Sequence, residues 1–218
     1  MLLLETFPVG DFQCNCSVLA CPDTKEAMVV DPGGKHAHIL ELIAHYDLTV
    51  KWIVHTHAHL DHIYETRDVK EKAGGTIALH KEDLFLYDGF LMQAAMFGWK
   101  PRQVLPIEHW LTDGESLAFG KRAATVIFTP GHTPGSCCFS LEGPNGPLLL
   151  SGDTLFQRSV GRTDLPGGDY PTLERSIQRK LYTLDPQTKV IPGHGPPTTI
   201  GDERRSNPFV TAASQERS

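Results

Sequence analysis

Apolar residues in the first thirty positions fall in short runs at 2–7, 14–20 and 27–30, the last closed by the turn Asp31-Pro32-Gly33-Gly34. Such runs predict strands, and their close spacing predicts antiparallel pairing. Between 35 and 46 the period changes, with Ala37, Ile39, Leu40, Ile43 and Ala44 recurring at helical intervals. A strand at 51–54 then leads straight into Thr56-His57-Ala58-His59. The pattern next predicts a helix over 60–72, punctuated by Gly74-Gly75, and a strand at 76–79. Residues 81–97 read as helical or mixed, ended by Trp99-Lys100-Pro101. Beyond Asp113-Gly114 strands are expected at 116–119, 123–128, 136–141 and 147–150, then a helix over 171–184 with Pro171 in its first turn, and a last strand at 189–191. No repeat, low-complexity tract or linker breaks this order. A single domain over 1–218 is expected, of the α/β class, with mixed sheets flanked by helices.

Composition narrows the picture. The 218 residues are 40% apolar and 21% charged, which excludes a disordered tail or a small stapled peptide. The 20 glycines and 16 prolines exceed their ordinary share of roughly 12% and argue against a helical bundle. A net charge of −6, with no basic run longer than Arg204-Arg205, offers no stripe to neutralise phosphates, so nucleic acid is not an expected partner. The apolar runs are far shorter than the ~20 residues needed to span a bilayer, and no basic-then-apolar leader is visible. A cytoplasmic protein with no membrane partner is the expectation. The five cysteines do not form a disulfide framework: Cys14, Cys16 and Cys21 lack the C-x-x-C spacing, and adjacent Cys137 and Cys138 would point to opposite faces of a strand. All five are read as reduced thiols.

The histidines carry the chemistry. There are eleven, and His55, His57, His59 and His62 fall within eight residues. The segment His57-Ala58-His59-Leu60-Asp61-His62 packs three imidazoles and a carboxylate between an apolar strand and a helix, where ligands gather in α/β sheets. Neutral imidazole and carboxylate suit zinc, iron or manganese. Four donors so close in sequence cannot all wrap one ion tetrahedrally, so two adjacent ions are the simpler geometry. Three further candidate ligands end apolar strands in tight turns: Pro130-Gly131-His132, Ser151-Gly152-Asp153 and Pro192-Gly193-His194.

These motifs, with Pro-Gly-His-Thr-Pro-Gly at 130–135 and Gly-Asp-Thr-Leu-Phe at 152–156, resemble the metallo-β-lactamase fold superfamily from about Asp31 to about Asn207. The resemblance implies a four-layer αββα sandwich with metals at the edge between the two sheets. It implies that His57, His59 and His132 hold a first ion and Asp61, His62 and His194 a second, with Asp153 bridging. Asp31 would orient a ligand imidazole, the alternative being a turn-forming Asp before proline. A water between two dications is acidified to give hydroxide near pH 7, and a carbonyl is polarised by the same ions, so hydrolysis is the expected reaction, with Asp61 essential through the second ion.

Val160-Gly161-Arg162-Thr163-Asp164 and Asn207-Pro208-Phe209 are similar to the hydroxyacylglutathione hydrolase (glyoxalase II) group, in its short single-domain form. That implies a small-molecule thioester substrate of the S-lactoylglutathione type. The sequence stops soon after Asn207-Pro208-Phe209, where longer members carry a glutathione-gripping extension, and Val210 and Thr211 stand where a basic residue is usual. The rival is a mononuclear-iron persulfide dioxygenase, using only His57, His132 and Asp153, against which Pro192-Gly193-His194-Gly195 has the hydrolase form. A lactonase or other small-ester hydrolase is a further alternative. A β-lactamase, a nuclease and a non-catalytic metal binder are disfavoured by the ligand set, the charge and the completeness of the ligands respectively. Arg162 is a candidate contact for a glutathione carboxylate, or else a loop arginine paired with Asp164 or Asp169. Tyr87, Phe90, Met92, Met96 and Phe97 either line a substrate pocket or, at helical spacing, fill the core.

Overall fold

The computed structural model describes residues 1–211, so the end of the expected 1–218 domain lies outside the described residues. The alternating runs at the start form the antiparallel strands β1 (Leu3–Val9), β2 (Cys14–Ala20) and β3 (Glu26–Val30). Helix α1 (His36–His45) crosses over to β4 (Thr49–Val54), which lies parallel to β3. Helices α2 (Leu60–Ile63) and α3 (Thr66–Ala73) then lead to β5 (Thr76–His80), parallel again. A short 3₁₀ turn and helices α4 (Leu84–Asp88) and α5 (Phe90–Phe97) precede β6 (His109–Leu111), which completes a six-stranded mixed sheet in sequence order.

The second sheet starts with an antiparallel meander: β7 (Ser116–Phe119), β8 (Arg122–Phe128), β9 (Cys137–Gly143) and β10 (Gly146–Gly152). The small hairpin β11 (Leu155–Phe156) and β12 (Ser159–Val160) follows, then helix α6 (Tyr170–Ser176) with a π-helical turn at Ile177–Leu181. Strand β13 (Lys189–Pro192) returns parallel to β10, and β14 (Thr198–Thr199) and α7 (Ile200–Ser206) close the second six-stranded sheet.

Side-chain alternation decides the layers. Leu19, Met28 and Val54 of the first sheet face Val126, Phe139 and Leu150 of the second in the inner core. On the outer face of the first sheet Val18, Val29 and Ile53 pack under Ile39 of α1 and Val69 of α3. Leu149 and Val190 of the second sheet pack under Leu173, Ile177 and Ile200. The result is an αββα sandwich. Cys137 lies in the inner core and Cys138 in the outer one, on opposite faces of β9, and all five cysteines are free thiols. Among the described residues no helix is long and apolar enough to cross a membrane.

Three elements differ from the sequence pattern. The helix expected over 60–72 breaks at Glu65, whose backbone N–H donates to the Pro32 carbonyl at 3.0 Å and whose carboxylate accepts from the His36 backbone N–H at 2.6 Å. Tertiary hydrogen bonds here replace a helical turn. Residues 81–97 divide at Gly89, and the helix at 171–184 ends early in its π turn. Strands β6, β11, β12 and β14 and helix α7 had no periodic signal, the strands being only two or three residues long.

At one edge the sheets are tied together by backbone hydrogen bonds. Cys137 N–H donates to Thr56 O at 2.7 Å and Asn15 N–H to Gly193 O at 2.7 Å, while within the second sheet Gly193 N–H donates to Gly152 O at 2.8 Å. The segments after β4, β8, β10 and β13 all emerge there. Because Phe139 is a fully buried side chain between the sheets, Phe139→Ala should cost about 3–5 kcal/mol of stability in urea unfolding, and a loss near zero would place the principal core elsewhere.

Candidate metal centre

The loop after β4 cannot wander, because its neighbours fix it. The Asp31 carboxylate accepts from the Thr56 backbone N–H at 2.8 Å and from the Thr56 hydroxyl at 2.7 Å. Its Oδ2 also lies 3.0 Å from His62 Nδ1. Since the Thr56 hydroxyl donates to Asp31, its oxygen is left to accept from His57 Nδ1, 3.1 Å away. One carboxylate thus sets the ring of His62 directly and that of His57 through Thr56. Asp31 itself has φ +52°, a left-handed conformation costing about 1–3 kcal/mol that persists only when the surroundings hold it. Both readings of Asp31 meet here, because it makes the turn and faces a ligand imidazole.

The other imidazoles are oriented by main-chain carbonyls. His132 Nδ1–H donates to Arg162 O at 2.7 Å, and His194 Nδ1–H to Phe12 O at 2.9 Å. In each ring the remaining nitrogen then presents a lone pair to the centre. His59 Nδ1 lies 2.9 Å from His132 Nε2, which is 3.2 Å from His57 Nε2. On the other side His62 Nε2 is 3.3 Å from His194 Nε2, and His194 Nε2 is 3.1 Å from Asp61 Oδ2. Two nitrogens on one tetrahedral zinc, each about 2.0–2.1 Å from it, stand about 3.3–3.4 Å apart. The spacing is that of ligand edges. Asp153 Oδ2 lies 3.6 Å from both His132 Nε2 and His194 Nε2, between the two groups. Its Oδ1 is buried without a hydrogen-bond partner, an arrangement a cation would satisfy. A Cβ at position 193 would strike that carboxylate, so only glycine lets β13 pass so near.

Electrostatics favours the same use. Burial, reinforced by neighbouring imidazoles, holds His57 well below the ordinary histidine value and pushes His59 down to about 3, so both offer neutral rings. Burial alone would raise Asp153, yet the adjacent His62 and the other imidazoles hold it below the usual carboxylate range. These oxygen and imidazole donors suit zinc, iron or manganese, in two groups: His57, His59 and His132, then Asp61, His62 and His194, with Asp153 between.

His55, the fourth histidine of the cluster, turns away. It is buried, pushed down to about 4 by desolvation, and its Nε2 lies 3.2 Å from the Thr66 hydroxyl. Asp83 has a part the sequence did not signal. Fully buried, it accepts from Ala58 N–H at 2.9 Å, Gly135 N–H at 2.6 Å and the Thr133 hydroxyl at 2.8 Å, tying the His57–His59 loop to the His132 loop. In Lys81-Glu82-Asp83 it reads as one more solvated charge. The Phe12 carbonyl was equally silent, since any residue carries one.

A cavity of about 530 Å³ opens over Asp61, Asp153, His59, His132 and His194. Of the five candidate wall residues, Met92, Met96 and Phe97 line it, whereas Tyr87 and Phe90 are buried in the core beneath α4 and α5. Arg162 reaches the rim with its guanidinium making two 2.7 Å hydrogen bonds to Asp164; Asp169 instead caps α6 through Thr172 N–H at 2.9 Å.

The model of the metallo-beta-lactamase superfamily matches residues 9–194. Hydroxyacylglutathione hydrolase GloC of Haemophilus influenzae is 38% identical over 97% of this chain and 99% of its own length. Two solved structures have the same architecture. BLEG-1, a B3 metallo-beta-lactamase, is 39% identical with a TM-score of 0.87, covering 96% of this chain and 100% of its own. TTHA1623, solved in a di-iron-bound form, is 37% identical with a TM-score of 0.83, covering 94% and 100%.

Two outcomes follow from the geometry. Asp31→Asn keeps the side chain's shape and tolerates the left-handed backbone but removes the charge facing His62, so metal affinity should fall about 10–100-fold in a chelator competition while circular dichroism is unchanged. Wild-type affinity would remove Asp31 from the centre. Burial opposes a proton on His194, but the hydrogen bond to Asp61 and the charge of Asp153 outweigh it, so the metal-free ring holds its proton above the ordinary value of 6.5. A ligating ring must give that proton up, so zinc affinity should rise with pH through this range. Burial opposes a proton on His62 as well, yet the negative groups around it hold that ring above its ordinary value too, so calorimetry in buffers of different ionisation enthalpy should show proton release from both rings on zinc binding above pH 6.5; none would exclude this pair as ligands.

Proposed function

This chain is a metallo-hydrolase of the metallo-beta-lactamase superfamily, and we propose that it is a glyoxalase II-like thioesterase, a single catalytic domain cleaving hydroxyacylglutathione-type thioesters such as S-lactoylglutathione with two divalent ions. The observation that carries the reading is the pair of donor groups with Asp153 between them, opening into a cavity large enough for a small thioester. The GloC relative, matched over nearly the whole of both chains, supports the thioester class. Zinc is the first expectation for the metal, and iron is supported by the di-iron form of TTHA1623.

When bound, the two ions would lower the pKa of a coordinated water toward neutral pH and draw electron density from the thioester carbonyl. The chain's own residues do the rest. His57, His59 and His132 would hold one ion and Asp61, His62 and His194 the other, the His62, His132 and His194 rings being fixed by Asp31, Arg162 O and Phe12 O. Asp83 keeps the first and third ligand loops in register. The cavity walls orient the thioester with its carbonyl toward Asp153 and its sulfur toward the open mouth. Water adds to the carbonyl carbon, the C–S bond breaks, and the sulfur leaves with the electron pair and takes up a proton as the free thiol.

Metal analysis with three assays tests this. Loss of the S-lactoylglutathione thioester absorbance with about two metals per chain is the expected result. Oxygen uptake with glutathione persulfide and one iron per chain would replace it with the dioxygenase reading. Opening of a chromogenic cephalosporin without thioester cleavage would move the assignment to the activity named for BLEG-1. Asp61→Ala should lose the second ion and several kcal/mol of barrier stabilisation, about 100-fold or more in kcat. Near-normal turnover would leave a one-metal mechanism.

A further inference from the structure

Five large apolar side chains that the fold leaves 43–70% exposed, Phe12, Phe85, Met92, Met96 and Phe97, gather round one opening, the cavity over the candidate metal centre. Contiguous exposed apolar surface of this kind marks a place where something binds. It is continuous with the reacting centre: Leu60, beside Asp61, lines the same cavity, and the residue whose carbonyl orients His194 is Phe12 itself. Phe12 also packs edge-on against Phe97, ring centroids 5.2 Å apart, so the wall from hairpin to α5 is one surface. Among the described residues Arg162 is the only lysine or arginine lining the cavity, and its guanidinium is already paired twice with Asp164.

A ligand here gains apolar contact and, among the described residues lining the cavity, finds no unpaired lysine or arginine above the metal centre. Glutathione carries two carboxylates, which such a wall does not recognise, and the methyl of a lactoyl group covers little of it. We infer that this wall is an acyl-binding site, and that the substrates are glutathione thioesters whose 2-hydroxyacyl group carries an alkyl chain longer than lactoyl's. This rests on the thioesterase reading. With the carbonyl over Asp153, the acyl substituent lies against Phe12 and α5, while the thiol carrier extends through the mouth with its charges in water. The two methionines suit alkyl chains of varied shape, because an unbranched thioether re-packs where a rigid ring does not.

The test is a chain-length series with two readouts. S-alkylglutathione thioethers, which have no carbonyl to hydrolyse, are titrated into the metal-loaded protein, and 2-hydroxyacyl glutathione thioesters from lactoyl to 2-hydroxyoctanoyl are assayed for turnover. Each methylene buried should tighten Kd, and raise kcat/KM, by about three- to fourfold until the wall is covered. Met96→Glu, with an unchanged circular dichroism spectrum, should flatten both slopes. A Kd that does not depend on chain length, or slopes unaltered in Met96→Glu, overturns the inference. So does sedimentation showing a second copy of the chain covering the wall at assay concentration. Chain-length-dependent binding without turnover of any thioester would instead overturn the thioesterase reading and leave the wall's preference for alkyl chains standing.

Discussion

Five imidazoles and two carboxylates are packed with their nitrogen and oxygen atoms some 3 to 4 Å apart, a crowding that burial and neighbouring rings make unfavourable for any proton on His57 or His59, and the rest of the fold is the means of holding them there. No single element does it. The backbone bonds from Cys137 to Thr56 and from Asn15 to Gly193 close the two sheets at that edge, so ligands carried by different sheets cannot separate without breaking main-chain hydrogen bonds. Asp31 and Asp83 then act as two internal clasps. Asp31 joins the end of β3 to Thr56 and His62, and Asp83 joins the His57–His59 loop to the segment after His132. A divalent ion in each group would draw its donors toward one centre, so its binding would add to the stability of the folded chain.

The seven candidate ligands were legible in the sequence because each lies in a local pattern: an apolar strand, then small residues, then a donor. The parts that position them were not. Asp83 looks like any surface carboxylate until Gly135, where a Cβ would collide with it, brings the second loop against it. The Phe12 and Arg162 carbonyls carry no sequence signal at all. The same holds for the fold. Strong periodicity over 35–46 and 116–128 translated directly into α1, β7 and β8. The break at Glu65 depends on Pro32 and His36, some thirty residues earlier. Local propensity sees only neighbours, and these features are set by distant ones.

Residues 84–97 show how one apolar pattern can serve two surfaces. Tyr87 and Phe90 face inward with Leu60 and Ile63 of α2, while Met92, Met96 and Phe97 face the cavity. Periodicity reports that a residue is apolar at helical spacing; it does not distinguish a core from a wall that waits for a ligand. Gln93 makes the division possible, accepting from Leu60 N–H at 3.0 Å and donating to Ala58 O at 3.0 Å, so α5 is anchored by a polar residue to the ligand loop.

The double duty of Phe12 bears on how such a protein can diversify. Its ring belongs to the cavity wall and its carbonyl orients His194, so the hairpin between β1 and β2 cannot be lengthened or reshaped without disturbing a ligand. Met92 and Met96 have no such obligation, since their exposed side chains support none of the donors, whereas Phe97 packs on Phe12 itself. Descendants of this chain can therefore drift toward new substrates by exchanging the exposed methionines of one short helix, while the hairpin opposite and Gln93 stay under constraint, and a directed-evolution library confined to Met92 and Met96 explores specificity without disturbing the ligand loop.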